Sequence, residues 1–192
     1  MERKELQGLE ALVKTAGLAG EVAAGARPVE RWNPPYCGDI GLAIRRDGSW
    51  TYQGSPIGRV ALVKLFASCL RKDEDGKTYL VTPAEKVDVC VEDAPFLAVA
   101  MAVTGAGREQ VLTFRTNVDD IVAIDEAHPV RFSEEQPSGG LKPYVLVRGR
   151  LEALVTRALY ADLVALAAGD QDKQPGFWSG GLWWELRRSP AT

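Results

Sequence analysis

The sequence predicts an α+β fold made of two related modules, and three observations support that prediction. First, residues 41–81 and 144–186 share one order of patterns: a strand, a second strand, an apolar helix and a final strand. Second, Arg59 and Arg157 stand at the start of the two helices, 157 − 59 = 98 positions apart. Third, short apolar runs and turn signals between the two stretches predict antiparallel strands. We therefore expect two modules of antiparallel strands, each with a packed helix, and a ligand site at the seam between them.

Length and composition limit the class of protein. The chain has 192 residues, of which 46% are apolar and 26% charged, as is typical of a folded globular protein. Its 23 basic and 26 acidic side chains give a net charge of −3. A chain with this charge balance has no excess of positive charge with which to bind bulk nucleic acid or an anionic membrane. A single bound phosphate is still compatible with it.

The sequence favours a cytoplasmic protein. Its N-terminal stretch is interrupted by Lys14 and Glu21 and lacks the apolar core of a signal peptide. The longest apolar run, residues 96–103, is shorter than the roughly 20 residues that span a bilayer. The three cysteines, Cys37, Cys69 and Cys90, do not form a disulfide framework, which fits a reducing compartment.

The first module is predicted over residues 1–84. An amphipathic helix over residues 3–16 has one apolar stripe and packs as a cap on this module. Asp47-Gly48 predicts a hairpin, because both residues tolerate the positive φ angles of tight turns. Ser55-Pro56 supplies an N-cap and a first-turn proline for a helix that runs to about Leu70.

The second module is predicted over residues 85–192, and its boundary with the first is placed near residues 83–86. Its core is a β meander, followed by a long loop over residues 133–143 that contains two prolines and two glycines. The second copy of the strand and helix pattern then closes the chain. The strands predicted near and after the boundary are residues 79–82, 87–92, 96–103, 111–116, 120–125 and 130–132.

Arg59 is the candidate that helical periodicity singles out. On the predicted helix, the arginine shares the apolar side with Phe66. A guanidinium on that side needs an anion or carbonyl oxygens, because a buried charge without a partner is strongly destabilising. Two interpretations stay open. One is a structural ion pair with Glu92, Asp93 or Asp39, and the other is the capture of a phosphate or carboxylate.

Glu92 and Asp93 form a pair of carboxylates where a strand ends in a turn. Turn chemistry accounts for them, since an aspartate in this position bonds nearby backbone amides. The alternative makes one of them the partner of Arg59 or a contact for a ligand. No metal site is predicted, because neither the histidine nor a third carboxylate has the spacing of a ligand set.

Asn117, His128 and Arg131 belong to the densest polar stretch of the second half. Asn117 is also an ordinary residue for a strand end. His128 is the only histidine of the chain, so a general-base mechanism near neutral pH would depend on it. No serine or cysteine nucleophile can be assigned to it from the sequence, and a histidine before a proline is also typical of a loop.

Several motifs occur in an order that is more distinctive than any one of them. They are WNPPYCGD at residues 32–39, DGSW at 47–50, SPIGRVALVKLFASCL at 55–70, YLVTPAEKVDVCVEDAPF at 79–96, FRTNVDD at 114–120, the pair His128-Pro129, and the stretch that starts at Tyr144. Together they closely resemble a bacterial domain-of-unknown-function family, number 1285. The resemblance covers roughly residues 30–188.

The resemblance implies a protein of duplicated modules. The second module would be similar to a pleckstrin homology domain, as a partly open barrel. The family is further associated with a pocket at the module interface, a nucleotide-like ligand and a role in bacterial signal transduction. It supplies no catalytic residues.

One principal hypothesis and two alternatives follow. The principal one is a soluble module, without a cofactor, that binds a small anionic ligand at the seam. The alternatives are a hydrolytic enzyme that uses His128 with a carboxylate, and a scaffold that binds a peptide along a strand edge. The residues expected to contact the ligand are Trp50, as a stacking surface, with Arg59, Glu92, Asp93, Asn117, His128 and Arg131.

Overall fold

The computed structural model describes residues 27–135, 139–167 and 174–189. The helix predicted over residues 3–16 lies outside the described residues. The chain divides into two compact units, Met1–Pro95 (unit 1) and Phe96–Thr192 (unit 2). This division falls later than the boundary predicted after residue 84, because the strand Lys86–Val91 pairs on both sides with strands of unit 1.

Unit 1 is a six-stranded sheet with one helix. The sheet order is β3-β2-β1-β6-β5-β4, and only the central pair, β1 with β6, is parallel. Helix α1, Val60–Ser68, connects β3 to β4. The strands are β1 (Tyr36–Ile44), β2 (Trp50–Tyr52), β3 (Ser55–Pro56), β4 (Leu70–Lys72), β5 (Thr78–Val81) and β6 (Lys86–Val91).

The hairpin predicted at Asp47-Gly48 is confirmed. It joins β1 to β2, with Ile44 opposite Trp50 in the register. Gly48 has a φ of 80°, a left-handed value that favours glycine. Two adjacent residues therefore carried enough local information to place this turn.

Helix α1 begins later than predicted. Ser55-Pro56 does not cap it but forms β3, where Ser55 pairs with Tyr52. The cause is the preceding turn, in which Gln53 and Gly54 both have positive φ angles, 49° and 84°, and so return the chain onto β2. The helix then starts at Val60, with Arg59 as its N-cap residue, and ends at Ser68.

The core of unit 1 lies between α1 and the sheet. The helix buries Leu65, Phe66 and Ala67, and the ring of Phe66 lies 6.2 Å from that of Trp50. Full burial of each large apolar side chain is worth about 1.5–3 kcal/mol. The sheet contributes Leu42, Ile44, Leu80, Val87 and Val89, each at most 5% exposed. Val81 belongs to a separate cluster with Val29 and Tyr79.

Unit 2 is also a six-stranded sheet, in the order β10-β11-β12-β7-β8-β9. Only β12 with β7 is parallel. Because β9 and β10 stand at opposite ends of the order and do not pair, the curled sheet is a partly open barrel, as predicted. The strands are β7 (Phe96–Thr104), β8 (Val111–Thr116), β9 (Ile121–Ala123), β10 (Val130–Glu135), β11 (Gly140–Arg148) and β12 (Leu151–Val155).

Helix α2, Arg157–Ala165, follows the sheet of unit 2, and a separate hairpin of β13 (Gly176–Ser179) and β14 (Leu182–Glu185) comes after it. Ser179 ties this hairpin to the sheet. Its buried hydroxyl donates to the Ile124 carbonyl at 2.7 Å and accepts the Leu112 N–H at 2.9 Å. Within the described part of the chain, no helix is long and apolar enough to cross a membrane.

The two units share one strand order. If β7 to β12 are renumbered from one to six, both sheets read 3-2-1-6-5-4, with the first and last strands parallel. β1 thus corresponds to β7, 96 − 36 = 60 positions later, and β6 to β12, 151 − 86 = 65 positions later. The duplication predicted from the sequence is confirmed, but the spacing of 98 is not its period. That spacing instead matches β1 and β2 with β11 and β12, which occupy different places in the sheet.

Candidate functional site

The residues predicted to contact a ligand divide between the two units. Trp50, Arg59, Glu92 and Asp93 belong to unit 1, whereas Asn117, His128 and Arg131 belong to unit 2. The structure gives most of them partners within the protein.

Trp50 is a core residue. Its side chain is 1% exposed and its ring packs against Phe66. The indole therefore offers no face on which a ligand could stack, contrary to the prediction. For a tryptophan at the start of a strand that follows a polar hairpin, the sequence does not indicate which face of the sheet the side chain occupies.

Arg59 is exposed, contrary to the expectation of a guanidinium on the buried side of a helix. It precedes α1 as its N-cap residue, in an extended conformation with φ −84° and ψ 101°. Its carbonyl accepts the N–H groups of Leu62 and Val63. The helical periodicity applied to Arg59 does not hold, because the residue lies outside the helix.

Glu92 forms an ion pair with Arg45. The Arg45 Nη1 lies 2.7 Å from Glu92 Oε1, and the Arg46 N–H donates to the other oxygen at 2.9 Å. The hydrogen bond from Arg45 is the main cause that lowers the pKa of Glu92 below its usual value, and the Arg46 N–H adds to it. Glu92 thus anchors the β1–β2 hairpin. Its neighbour Asp93 is half-buried and also makes an interaction.

Asn117 extends the pairing of β7 with β8 beyond the end of the ladder. Its side-chain oxygen accepts the Leu97 N–H at 3.0 Å, and its own N–H donates to the Leu97 carbonyl at 2.8 Å. This is the strand-end role that the sequence allowed for.

His128 belongs to a turn held by Asp125. The carboxylate of Asp125 accepts the N–H groups of Ala127 and His128, and Nδ1 of the ring lies 3.0 Å from the Leu146 carbonyl oxygen. An imidazole that donates from Nδ1 to a carbonyl has a fixed orientation. These contacts agree with the interpretation as a loop residue.

Arg131 is bound on two sides within the sheet of unit 2. Its Nε and Nη2 each lie 2.6 Å from an oxygen of Glu152, a bidentate pair across the strands. The guanidinium also lies over the ring of Tyr144, 4.2 Å from its centroid. Two of the donors of the guanidinium, Nε and Nη2, are thus already matched to a carboxylate, which disfavours the capture of an anionic ligand by Arg131.

An open cleft in unit 1 is the candidate site that the sequence did not predict. It has a volume of about 340 Å³ and lies at the join of β1 and β6, next to the turn before β5. Eight residues line it: Asp39, Gly76, Lys77, Thr78, Asp88, Val89, Cys90 and Val91. Cys90, exposed at its rim, is a free cysteine.

The cleft exists because β1 is longer than the strand beside it. Between the pairs Asp39 with Asp88 and Leu42 with Val89, β1 advances 42 − 39 = 3 positions while β6 advances 89 − 88 = 1. The extra residues are accommodated by a bulge. Gly41 permits it with a φ of 78°, and Asp39 Oδ1 holds it by accepting the Gly41 N–H at 2.7 Å.

Asp88 is the chemically distinctive group of the cleft. Its Oδ2 accepts a hydrogen bond from the Tyr36 hydroxyl at 2.6 Å, and this bond is the main cause that raises the pKa of Tyr36. Its Oδ1 is buried and meets no donor among the described residues. Asp39, a second carboxylate, is its partner across the parallel strands. Two like charges in register, one of them with an unmatched acceptor, favour a cationic group or an N–H donor at this position.

A second tyrosine and aspartate pair lies beside the cleft. The Tyr79 hydroxyl donates to Asp75 Oδ2 at 2.5 Å, which raises the pKa of Tyr79 to about 12. The same bond is the main cause that lowers the pKa of Asp75. The rings of Tyr36 and Tyr79 meet edge to face, with centroids 6.2 Å apart.

Lys86 connects this aromatic pair to an internal ion cluster. Its Nζ lies 4.3 Å from the Tyr79 ring centroid and 3.2 Å from Asp73 Oδ2, while Arg71 Nε lies 2.6 Å from Asp73 Oδ1. Burial raises the pKa of Asp73, but the hydrogen bonds from Arg71 and Lys86 outweigh it and the net shift is downward. Arg71 also donates to the carbonyls of Val29 and Trp32, so the cluster fixes the segment that leads into β1.

No group of three or more potential metal ligands occurs within residues 27–135, 139–167 and 174–189.

The fold defines a class of protein made from two α+β units with the same strand order. Comparison with protein families gives the particular family. The N-terminal domain of the domain of unknown function DUF1285 matches residues 27–94, and the C-terminal domain of the same family matches residues 95–186. The chain belongs to the DUF1285 family, as the motifs predicted. The family boundary also falls where the structure divides the units.

Two solved structures support this assignment. A DUF1285 family protein from Silicibacter pomeroyi DSS-3 is 44% identical, with a TM-score of 0.84, over 92% of this chain and 94% of that one. A DUF1285 family protein from Shewanella baltica OS155 is 29% identical, with a TM-score of 0.51, over 66% of this chain and 91% of that one. No curated protein matches the chain.

Proposed function

We propose that this DUF1285 protein is a binding protein whose cleft in unit 1 takes a small molecule with a cationic or N–H donating group. The observation that supports the proposal is Asp88, whose Oδ1 is buried without a donor from the described residues while its Oδ2 is held by Tyr36. A buried acceptor without a donor is destabilising, and a ligand whose binding opened the cleft around Oδ1 and supplied the donor would recover that free energy. Tyr36 holds the other oxygen, so the carboxylate itself would not have to reorient.

The lining of the cleft supports a small ligand rather than a polymer. A volume of about 340 Å³ is near the lower end of the range of ligand pockets. Thr78 and Val89 are buried, whereas Lys77 and Cys90 are exposed. An ammonium or amidine group would meet Asp88 and Asp39, and the exposed Lys77 would disfavour a ligand with several positive charges.

A titration with matched probes tests this proposal. Benzamidine and tyramine, each with a single positive charge, are the cationic probes, and adenosine monophosphate and inorganic phosphate are the anionic ones. We expect a cationic probe to bind the wild-type protein in calorimetry, and Asp88→Asn to weaken that binding by about tenfold, or about 1.4 kcal/mol.

Asp47→Asn is the matched control. It removes the same charge in the same unit, at a hairpin where Asp47 accepts from Ser49. It should leave the affinity unchanged. The proposal fails if neither cationic probe binds, or if Asp88→Asn binds as tightly as the wild type.

The anionic, nucleotide-like ligand and the signalling role predicted from the sequence stay proposals, and the anionic probes test the first of them. Hydrolysis by His128 stays a prediction as well. His128→Ala measured against ester and phosphoester substrates tests it, and a variant that loses an activity of the wild type would support it.

A further inference from the structure

The second half of β7 has one edge without a partner strand among the described residues of unit 2. β8 pairs with this strand from Ala98 to Thr104, but β12 pairs only with Phe96, Leu97 and Ala98. Residues 99–104, here called the β7 edge, therefore extend beyond β12 without a partner strand on that side, and the helix α2, which follows β12, also contacts β7. An open edge presents backbone N–H and C=O groups that can pair with another strand.

The side chains of the β7 edge are uncharged and accessible. Its sequence is Val-Ala-Met-Ala-Val-Thr, with Val99 39% exposed and Val103 40% exposed. It contains no proline, no glycine and no charged residue. These are the features that natural sheets use to block pairing between edges, and their absence makes this edge competent for it. A bulge between Ala98 and Ala100 bends the strand, but it lies at one end and leaves the following residues in regular register.

The outer strands of both units differ from the β7 edge. In unit 1, β3 has two residues, and β4 has three, which include Arg71 and Lys72. In unit 2, β9 has three residues, and β10 carries Arg131 and two glutamates. Each of these strands is short or charged, and both properties oppose pairing with another chain.

We propose that the β7 edge is a homodimer contact, in which it pairs antiparallel with the β7 edge of a second copy. A two-fold axis near Ala102 would place the first half of this segment in one copy opposite the second half of the same segment in the other copy. The segment suits this arrangement because it is free of charge along its length, so that no like charges would face each other. The two sheets would then join as one, in the order β9-β8-β7-β7-β8-β9.

The contact is expected to be weak. Six residues on each side bury less surface than the roughly 1,200 Å² at the lower end of stable interfaces. The dimer should therefore depend on protein concentration. It is independent of the ligand proposed for unit 1, since no residue is shared between the β7 edge and the cleft.

Sedimentation over about a hundredfold range of concentration tests the proposal, because mass action shifts a weak dimer within such a range. We expect the wild type to become dimeric at the upper end and Ala102→Lys to remain a monomer, because two lysines would meet near the two-fold axis. Ala161→Lys, the same change at an exposed alanine of α2, is the control and should dimerise as the wild type does.

Hydrogen exchange of the wild type gives a second readout that does not depend on a folded variant. The amides of residues 99–104 should gain protection as the concentration rises, while those of β9 should not. A wild type that stays monomeric throughout overturns the proposal and leaves the edge to a strand of another protein. A dimer that is unaffected by Ala102→Lys and shows no protection at this edge overturns it too.

Discussion

At the scale of single residues, hydrogen-bond partners decide what the titratable groups can do. The sequence presents four polar residues as candidates for ligand binding, because it does not reveal their hydrogen-bond partners: Glu92, Asn117, His128 and Arg131. In the structure each has a protein partner within 3.0 Å. Asp88 differs from them, since one of its oxygens is satisfied and the other is buried without a donor in the part of the chain that the structure describes. That contrast, rather than residue type, makes Asp88 the candidate for a binding role.

The bond between Tyr79 and Asp75 makes a prediction for alkaline pH. The pKa of Tyr79 is raised from 10.0 to about 12, so the folded state favours the protonated phenol. A group with a raised pKa adds stability that is complete below its unfolded pKa and is lost as the pH rises through the folded one. Tyr79→Phe should therefore be less stable than the wild type at neutral pH, and the difference should shrink between pH 10 and about 12.

Urea unfolding of the two proteins at a series of pH values measures this effect. Tyr52→Phe serves as the control, because the Tyr52 hydroxyl accepts a hydrogen bond from the Gln53 amide and the contact involves no carboxylate. A gap between wild type and Tyr79→Phe that stays constant across this window would contradict the assignment.

At the scale of elements, a few glycines with positive φ set the shape of β1. Gly41 has a φ of 78°, and a Cβ added there would lie 3.2 Å from the Gln53 side chain. An L-residue in the left-handed region is disfavoured by about 1–2 kcal/mol. Gly41→Ala should destabilise the protein by about that amount or more, since the neighbour must also move. The substitution should also weaken the binding of any ligand in the cleft, because this bulge shapes the join between β1 and β6.

Gly58→Ala is the matched control for this prediction. Gly58 has no atom within 4 Å of an added Cβ and no positive φ. Thermal unfolding should show a clear loss for Gly41→Ala and little change for Gly58→Ala. Equal effects would mean that the bulge tolerates a side chain and that its conformation is not the cause of the cleft.

At the scale of the whole molecule, strand pairing fixes where the units begin and end. β6 lies between β1 and β5 in the sheet of unit 1, so a fragment that ends at residue 84 lacks a central strand. We expect a fragment of residues 1–84 to be unfolded and one of residues 1–95 to fold. Far-ultraviolet circular dichroism and a cooperative melt distinguish the two.

The complementary fragments sharpen this test. Residues 96–192 should fold, whereas residues 85–192 carry an additional unpaired strand and should aggregate more readily. If residues 1–84 melted cooperatively, the division at Pro95 would not describe a folding unit.

The sequence by itself determined the features that neighbouring residues control. The hairpin at Asp47-Gly48 and the β7–β8 hairpin were predicted because turn chemistry and strand alternation act over a few residues. The family, the α+β class and the duplication were likewise visible in ordered motifs. The prediction that Arg59 is a buried helical residue is wrong, because the turn at Gln53-Gly54 places Ser55-Pro56 in β3 and the helix starts only after Arg59.

The tertiary structure alone decided which distant strands became neighbours. The pairing of β1 with β6 joins residues about fifty positions apart, and no local pattern encodes that distance. This kind of long-range pairing determines four features that the sequence did not predict. They are the cleft, the environment of the Asp88 carboxylate, the burial of Trp50 and the true period of the duplication. Local sequence sets the conformation of each short segment, but the burial and partners of a side chain depend on contacts that form only when the whole sheet is assembled.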